Sequence, residues 1–204
     1  MGLRLYHSAT SPFVRKVMIL LHECGQTGAV TLIPAAGNPV DPGTMPLDQN
    51  PLGKVPALER DDGPAIYDSR VICRYLDQRN GCGLYPEPPR LWDTLTVEAT
   101  ADGMLEAAVL MIYESRIRPV EKQMPTWVEG QWAKVDRALD ALESRWMDHL
   151  AGPLDMGQIA VGAALGYLDF RHGAREWRTG RVDLSGWYAA FALRPSMTRT
   201  APVG

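Results

Sequence analysis

Residues 3–25 read LRLYHSATSPFVRKVMILLHECG, and the fold is decided here first. Leu3–Tyr6 alternates apolar and polar, the period of a half-buried strand. Pro12 then opens a run in which Val14, Val17, Met18, Leu20 and Leu21 recur at helical spacing, with Arg15 and Lys16 on another face. Proline suits a first helical turn, where its missing N–H is no loss, and Gly25 supplies the stop. The stretch is a strand feeding an amphipathic helix.

Working outward, Val30–Ile33 reads as a second short strand. Residues 34–53 hold five prolines and three glycines, so they form a loop, with one helical turn near Met45–Gln49. Val55–Glu59 and Ala65–Tyr67 are two short strands joined by the hairpin signal Asp61-Asp62-Gly63. After Asp68-Ser69, the residues Val71, Ile72, Tyr75 and Leu76 return to helical spacing. The order β-α-β, loop, β-β-α predicts an α/β domain over residues 1–80. Residues 81–90, GCGLYPEPPR, are the natural linker. Residues 91–204 are helical in pattern. One long helix spans Leu91–Ile117 and stops before Pro119, and a second spans Thr126–Leu150. A third starts at Asp155 with Gln158 three residues on, the spacing of a capping box. Its body, IAVGAALGYL, is apolar or small all round, as in a core helix. A shorter helix near Leu184–Leu193 and a polar tail follow.

Composition narrows the function classes. The chain has 204 residues, 46% hydrophobic and 22% charged, the balance of a soluble globular protein. A net charge of -3 gives no chain-wide drive toward nucleic acid or anionic membrane. No long uncharged run is present to span a bilayer, and the N-terminus lacks a secretory pattern, so a cytoplasmic location is expected. Cys24, Cys73 and Cys82 are odd in number and lack C-x-x-C spacing. Reduced thiols are expected, with no disulfide and no zinc site. His7, His22, His149 and His172 are scattered, and no metal is expected.

Three short segments carry candidate chemistry. In Ser11-Pro12-Phe13 the serine reads as a helix N-cap. It also reads as a hydroxyl donor beside a positive helix end, where a thiolate would be stabilised. In Asn50–Pro56, the proline sits where a strand begins. A cis Val55–Pro56 bond there turns the Val55 amide and carbonyl toward a ligand backbone. Asp68-Ser69 reads as an N-cap pair. It also reads as a seat for a ligand carboxylate on the Ser69 hydroxyl and helix amides, with Asp68 toward an ammonium.

Taken together and in this order, SPFVRKV, NPLGKVPAL and DSRVICRYL resemble the glutathione-site segments of the cytosolic glutathione transferases. DMGQIAVGAALGYLDFR resembles the buried capping-box helix of the same family. SPFVRKV, Ala101–Gly103 and GYLDFR are most similar to its bacterial YibF-like group. The resemblance covers essentially the whole chain. It implies a thioredoxin-like N-terminal domain followed by an all-α C-terminal domain, the glutathione transferase fold. It implies an enzyme that activates the glutathione thiol for attack on a hydrophobic electrophile. Ser11 takes the catalytic position. Phe13, Lys54, Val55, Pro56, Asp68 and Ser69 line glutathione: Val55 pairs with the cysteinyl backbone, Asp68 and Ser69 hold the γ-glutamyl end, and Lys54 meets the glycyl carboxylate. Asp102 is the residue sent across a homodimer interface, and the alternative for it is a solvent-exposed helical aspartate. Tyr6, Ser8 and Thr10 are rivals to Ser11.

Ser11 and Val14 stand where thioredoxin-like oxidoreductases carry two cysteines, so dithiol chemistry at this position is excluded. The family layout places Met104, Leu105, Val109, Leu110, Met111, Ile112 and Tyr113 along an apolar electrophile pocket between the domains. Ala99, Ala101, Gly103, Ala107 and Ala108 permit close packing of the long helix in a homodimer. The tryptophans read as core or interface, and Glu114–Arg118 as a solvated helix end. The alternatives are a non-catalytic glutathione or ligand carrier, a regulatory interaction protein, or another glutathione-dependent activity such as isomerase or peroxidase.

Overall fold

The computed structural model describes residues 2–203, which group into two compact units. One runs to Tyr85 and includes the segment from Pro195 onward; the other is Pro86–Arg194.

The first unit is built on a four-stranded sheet in the order β2-β1-β3-β4. Its strands are β1 (Leu3–His7), β2 (Val30–Pro34), β3 (Ala57–Arg60) and β4 (Gly63–Ile66). β1 runs parallel to β2 and antiparallel to β3, and β3 runs antiparallel to β4. The alternation in β1 buries Leu3 and Leu5 and leaves Arg4 outside. Helix α1 (Pro12–Glu23) buries Val14, Val17, Leu20 and Leu21, and α2 (Ser69–Asn80) buries Ile72, Cys73 and Leu76. Gly81 closes α2 at φ 64°, a left-handed position that favours glycine. This is the thioredoxin-like arrangement.

Three expectations are corrected in this unit. Arg15 and Lys16 do not lie on a solvated face of α1, because both are buried. Pro12, Lys16 and Leu20 follow at i, i+4 spacing, which carries Lys16 onto the packed side. The polar tail is not a tail: α8 (Pro195–Arg199) packs on α1, with Arg15 Nη2 donating to the Met197 carbonyl at 3.2 Å and Ser196 Oγ to Glu23. Cys24 and Cys82 are joined in a disulfide with Cα atoms 5.7 Å apart, so these two thiols are not reduced. Cys24 caps the end of α1 and Cys82 follows Gly81 after α2. The two helix ends meet in space, and a separation of 58 residues along the chain conceals it. Cys73 is buried in α2.

The second unit is helical: α3 (Arg90–Ile117), α4 (Pro125–Arg145), α5 (Met147–Leu150), α6 (Met156–His172) and α7 (Val182–Phe191). The reading of one helix to Leu150 misses a break at Trp146 that separates α5. α6 is the core helix, with every residue from Met156 to Leu168 buried. It lies against α3 so closely that a Cβ on Gly157 would stand 3.0 Å from Val97 Cβ, a tight contact that a side chain there would press on. Asp155 caps α6: its Oδ1 accepts from Gln158 N at 3.2 Å while Gln158 Oε1 accepts from Asp155 N at 3.1 Å. Its Oδ2 accepts from Thr94 Oγ1 at 3.0 Å and Arg90 Nη2 at 3.0 Å, and His149 Nε2 lies 2.9 Å from it without hydrogen-bond geometry. One carboxylate thereby ties the start of α6 to α3 and α5. Arg181, also buried, ties α7 to α4 through Asp136 and Asp140, each at 2.7 Å.

Glu114 is not a solvated helix-end charge: it is buried, accepting from Arg118 Nε at 2.6 Å and from Met124 N at 3.0 Å. Burial raises its carboxyl pKa, and the bonds from Arg118 and Met124 N together with the Arg118 charge outweigh this and lower it. Asp102 is likewise not solvent-exposed, at 2%. It faces inward on α3, on the side that also buries Glu98 and Leu105. Among the tryptophans, Trp177 is fully in the core, whereas Trp92 is 61% exposed.

Candidate functional site

The register of the sheet decides which segments meet. Tyr6 pairs with Ala57 and Leu58 with Ile66. The C-terminal end of β1, the N-terminal end of β3 and the C-terminal end of β4 therefore lie at one end of the sheet. The segments continuing from those ends are Ser8–Ser11, Lys54–Pro56 and Tyr67–Ser69. All three sequence motifs of the first unit are brought to one end of the sheet, with the N-termini of α1 and α2 beside it.

Ser11 is the N-cap of α1. Its Oγ accepts from Val14 N at 3.3 Å, and its backbone N–H donates to Ser8 O at 3.1 Å. A hydroxyl has one proton and two acceptor sites, so capping leaves the O–H available. Among the described residues it donates to no partner. Ser8 and Thr10 hydroxyls face each other at 3.4 Å instead. Tyr6 is committed elsewhere: its O–H donates to Glu59 Oε1 at 2.7 Å, and burial together with that bond raises its pKa. A phenol so held is a poor donor to a thiolate. Phe13 follows in the first turn of α1, half-buried.

Val55 precedes Pro56 through a cis bond, and a second cis bond joins Tyr67 to Asp68. Pro56 is buried. The backbone amide and carbonyl of Val55 find no hydrogen-bond partner among the described residues. Asn50 is 2% exposed and braces this segment, its Nδ2 donating to Lys54 O at 2.8 Å. Lys54 itself projects outward, and its ammonium meets no carboxylate among the described residues.

Asp68 caps α2, accepting from Arg70 N at 2.9 Å, and also pairs with the Arg70 guanidinium at 3.0 Å. Burial pushes its carboxyl up. The side-chain and backbone bonds from Arg70, with the Arg70 and Lys16 charges, outweigh this and hold it below the ordinary aspartate value. Ser69 is 2% exposed, and its hydroxyl has no partner among the described residues. It stands in the first turn of α2, where backbone N–H groups lack intrahelical acceptors and the helix dipole favours an anion. Lys16 adds a buried cation within electrostatic reach of Asp68. Sequence reasoning missed it, although the i, i+4 relation to Pro12 and Leu20 was there to be read. Asp102 belongs to the helical unit, on α3. Among the described residues no group of His, Cys, Asp or Glu is placed to hold a metal, and no helix is long and apolar enough to cross a membrane.

Comparison with known proteins matches two family models: residues 10–79 fit the glutathione S-transferase N-terminal domain, and residues 125–190 its C-terminal domain. An uncharacterized GST-like protein, YibF of Escherichia coli K12, is 34% identical over 204 residues, covering 98% of each chain. The chain belongs to the glutathione S-transferase family. A glutathione transferase family member from Pseudomonas fluorescens Pf-5, crystallised with bound glutathione, superposes with a TM-score of 0.96 at 46% identity over 100% of both chains. The same bacterium's family member with bound S-(propanoic acid)-glutathione gives 0.92 at 46% identity, over 99% of this chain and 100% of that one. The thioredoxin-like sheet followed by a helical unit is the family's fold.

Proposed function

We propose that this protein is a glutathione transferase. It binds glutathione at the sheet end described above, lowers the pKa of its thiol and adds the sulfur to an electrophile with an apolar body. Supporting the reading are the family membership and the relatives crystallised with glutathione or an S-substituted glutathione. The observation that carries it is the set of uncommitted groups at one end of the sheet: the Ser11 O–H, the Val55 amide and carbonyl, and the Ser69 hydroxyl at a helix N-terminus.

The tripeptide matches these groups in order. Its cysteinyl backbone pairs with Val55 as an added strand would. Its γ-glutamyl carboxylate sits on Ser69 and the first-turn amides of α2, and its ammonium faces Asp68. Lys54 takes the glycyl carboxylate, and Pro56 and Phe13 supply the walls. The thiol then lies at the start of α1, where Ser11 donates to the sulfur and the helix dipole adds positive potential. Both favour the thiolate, and the released proton goes to solvent. The thiolate's electron pair forms the new S–C bond. The displaced pair leaves with a leaving group in substitution, or is protonated by water in addition. A fall in thiol pKa from about 9 to about 6–7 raises the thiolate at neutral pH from about 1% to about half or more.

The working protein is proposed to be a cytoplasmic homodimer joined through α3. A groove of about 370 Å³ between α3 and α4 is lined by Ala99, Gly103, Leu110 and Lys134, and a Cβ on Gly103 would meet open space. Asp102 faces inward at 2% exposure, so the role across that interface which the resemblance implies for it is left out of the proposal.

The test is a pair of variants assayed for glutathione conjugation. Ser11→Ala lowers kcat by about tenfold or more with a smaller change in glutathione affinity, while Ser11→Thr, which keeps the cap and the hydroxyl, retains most of the rate. Tyr6→Phe leaves kcat unchanged. Equal rates for wild type and Ser11→Ala reject the assignment, and conjugation abolished by Tyr6→Phe transfers it to the phenol.

A further inference from the structure

The loop that precedes β3 is organised by one buried amide. Asn50 is 2% exposed, and four hydrogen bonds converge on it. Its backbone N–H donates to Pro46 O at 2.8 Å, and its backbone carbonyl accepts from Gly53 N at 2.9 Å. In the side chain, Oδ1 accepts from Leu52 N at 3.0 Å and Nδ2 donates to Lys54 O at 2.8 Å. The first three bonds close the turn over residues 46–53. The fourth reaches past the turn, to the peptide group that carries the Val55 amide.

A trans peptide group is planar, and its C=O and N–H point in opposite directions. The Lys54–Val55 bond is trans. Lys54 O and the Val55 N–H therefore share one plane, and whatever fixes the carbonyl also aims the amide. Among the described residues the Asn50 bond is the one that Lys54 O accepts. It draws the carbonyl onto a buried side chain and turns the Val55 N–H away from it. No ladder bond does this work, because β3 begins its pairing with β1 at Ala57. Rotation of the plane by half a turn would put a carbonyl where the amide stands, exchanging a donor for an acceptor. The neighbours also require an amide at position 50. Oδ1 meets a donor and Nδ2 an acceptor, so a carboxylate would set oxygen against the Lys54 oxygen.

We propose that Asn50 is a positioning residue for glutathione: it aims the Val55 N–H at the cysteinyl carbonyl and so sets the affinity of the site without touching the ligand. The inference rests on the transferase reading, in which Val55 pairs with the cysteinyl backbone. A peptide plane already fixed in the bound orientation has no ordering left to undergo when the tripeptide arrives. A plane left free to rotate must be ordered on binding, and affinity falls accordingly.

The test uses glutathione labelled with carbon-13 at the cysteinyl carbonyl and at the γ-glutamyl carboxylate, bound to the full chain at saturation. Affinity is measured alongside by calorimetry. Asn50→Asp keeps the acceptor for Leu52 N and loses only the donor to Lys54 O, so it isolates the fourth bond. Asn50→Ala loses both side-chain bonds. In wild type, both carbon resonances are expected to move on binding. In Asn50→Asp and Asn50→Ala the cysteinyl carbonyl returns toward its free position while the carboxylate keeps its bound one. Glutathione affinity falls about tenfold in both, the scale of one hydrogen bond lost from the complex. A general loss of loop shape would instead move both resonances together, and that result overturns the proposal. A cysteinyl resonance that keeps its bound position in both variants overturns it too, whatever the affinity. Failure of both variants to fold, read by far-ultraviolet circular dichroism, would make Asn50 a residue of the fold alone and overturn it as well. Wild type that binds no glutathione brings down the transferase reading itself. Wild type that binds, with variants indistinguishable from it, brings down only this inference.

Discussion

Replacing Asp155 by alanine tests how the helical unit is held together. Asp155 is 1% exposed, and its carboxylate has four close neighbours: Gln158 N at 3.2 Å, Thr94 Oγ1 at 3.0 Å, Arg90 Nη2 at 3.0 Å and His149 Nε2 at 2.9 Å. Loss of the N-cap costs about 1 kcal/mol. Thr94 retains the Arg90 carbonyl at 3.2 Å, so its hydroxyl loses little. Arg90 keeps the Pro153 carbonyl at 2.8 Å and its side chain is 33% exposed, which discounts the broken ion pair well below the roughly 3–5 kcal/mol of a fully buried one. His149 Nε2 is more deeply enclosed and lies 2.9 Å from the carboxylate without hydrogen-bond geometry, so its loss is that of a close electrostatic contact, about 1 kcal/mol. The sum is about 3–4 kcal/mol for Asp155→Ala. Asp155→Asn keeps the cap through its single amide oxygen and loses the Oδ2 acceptor of Thr94 and Arg90, so it recovers about the 1 kcal/mol of the cap. Urea unfolding followed by far-ultraviolet circular dichroism reads this as a midpoint shift of about 1.5–2 M for alanine at a slope near 2 kcal/mol/M. Hydrogen exchange of the α6 amides shows whether the loss begins at that helix. An alanine variant destabilised by less than about 1 kcal/mol, or asparagine as harmful as alanine, would refute the reasoning.

Three further outcomes are expected. Thiol titration in denaturant without reductant counts one thiol per chain, from Cys73, and three after reduction; three without reductant would remove the Cys24–Cys82 bond. Because that bond closes a separation of 58 residues, Cys82→Ser lowers stability by at most about 4 kcal/mol on the chain-entropy relation, and an unchanged urea midpoint would show that it constrains nothing. The Asp68 carboxyl is held below its unfolded value, so its stabilising contribution is complete above pH about 3.9 and disappears as pH falls through the folded value. Asp68→Asn keeps the cap and costs under about 1 kcal/mol at pH 7, since the Arg70 pair is half-exposed; a stability gap between wild type and variant that widens in acid would contradict this sign.

Much of the fold was legible because local rules and the final packing agree. Ser11-Pro12, Asp68-Ser69 and Asp155 with Gln158 mark helix starts by chemistry that acts within one turn, and all three cap helices in the structure. The alternation of Leu3 and Leu5 and the all-apolar run of α6 likewise report burial directly. What escaped depends on distant partners. Cys24 and Cys82 meet only because the C-terminal ends of α1 and α2 converge, and no spacing along the chain says so. Lys16, Asp102 and Glu114 are charged residues on helices, whose ordinary place is water, yet each is buried. For Glu114 the reason is the chain turning back, so that Met124 N reaches the carboxylate. The candidate site shows the same division. Its three segments were found one by one, but their convergence is a product of the β1-β3-β4 register.

The central claim is that this sheet end lowers the pKa of a bound glutathione thiol, and it is tested most directly by titrating that thiol in the complex. Glutathione is bound to the full chain at saturation, confirmed by calorimetry, and the ultraviolet band of the thiolate is followed across pH in wild type and Ser11→Ala. The account predicts a thiol pKa of about 6–7 in wild type, raised toward the free value of about 9 in the variant. Glutathione bound with an unshifted thiol, the same in both proteins, would contradict it and leave a carrier in place of an enzyme.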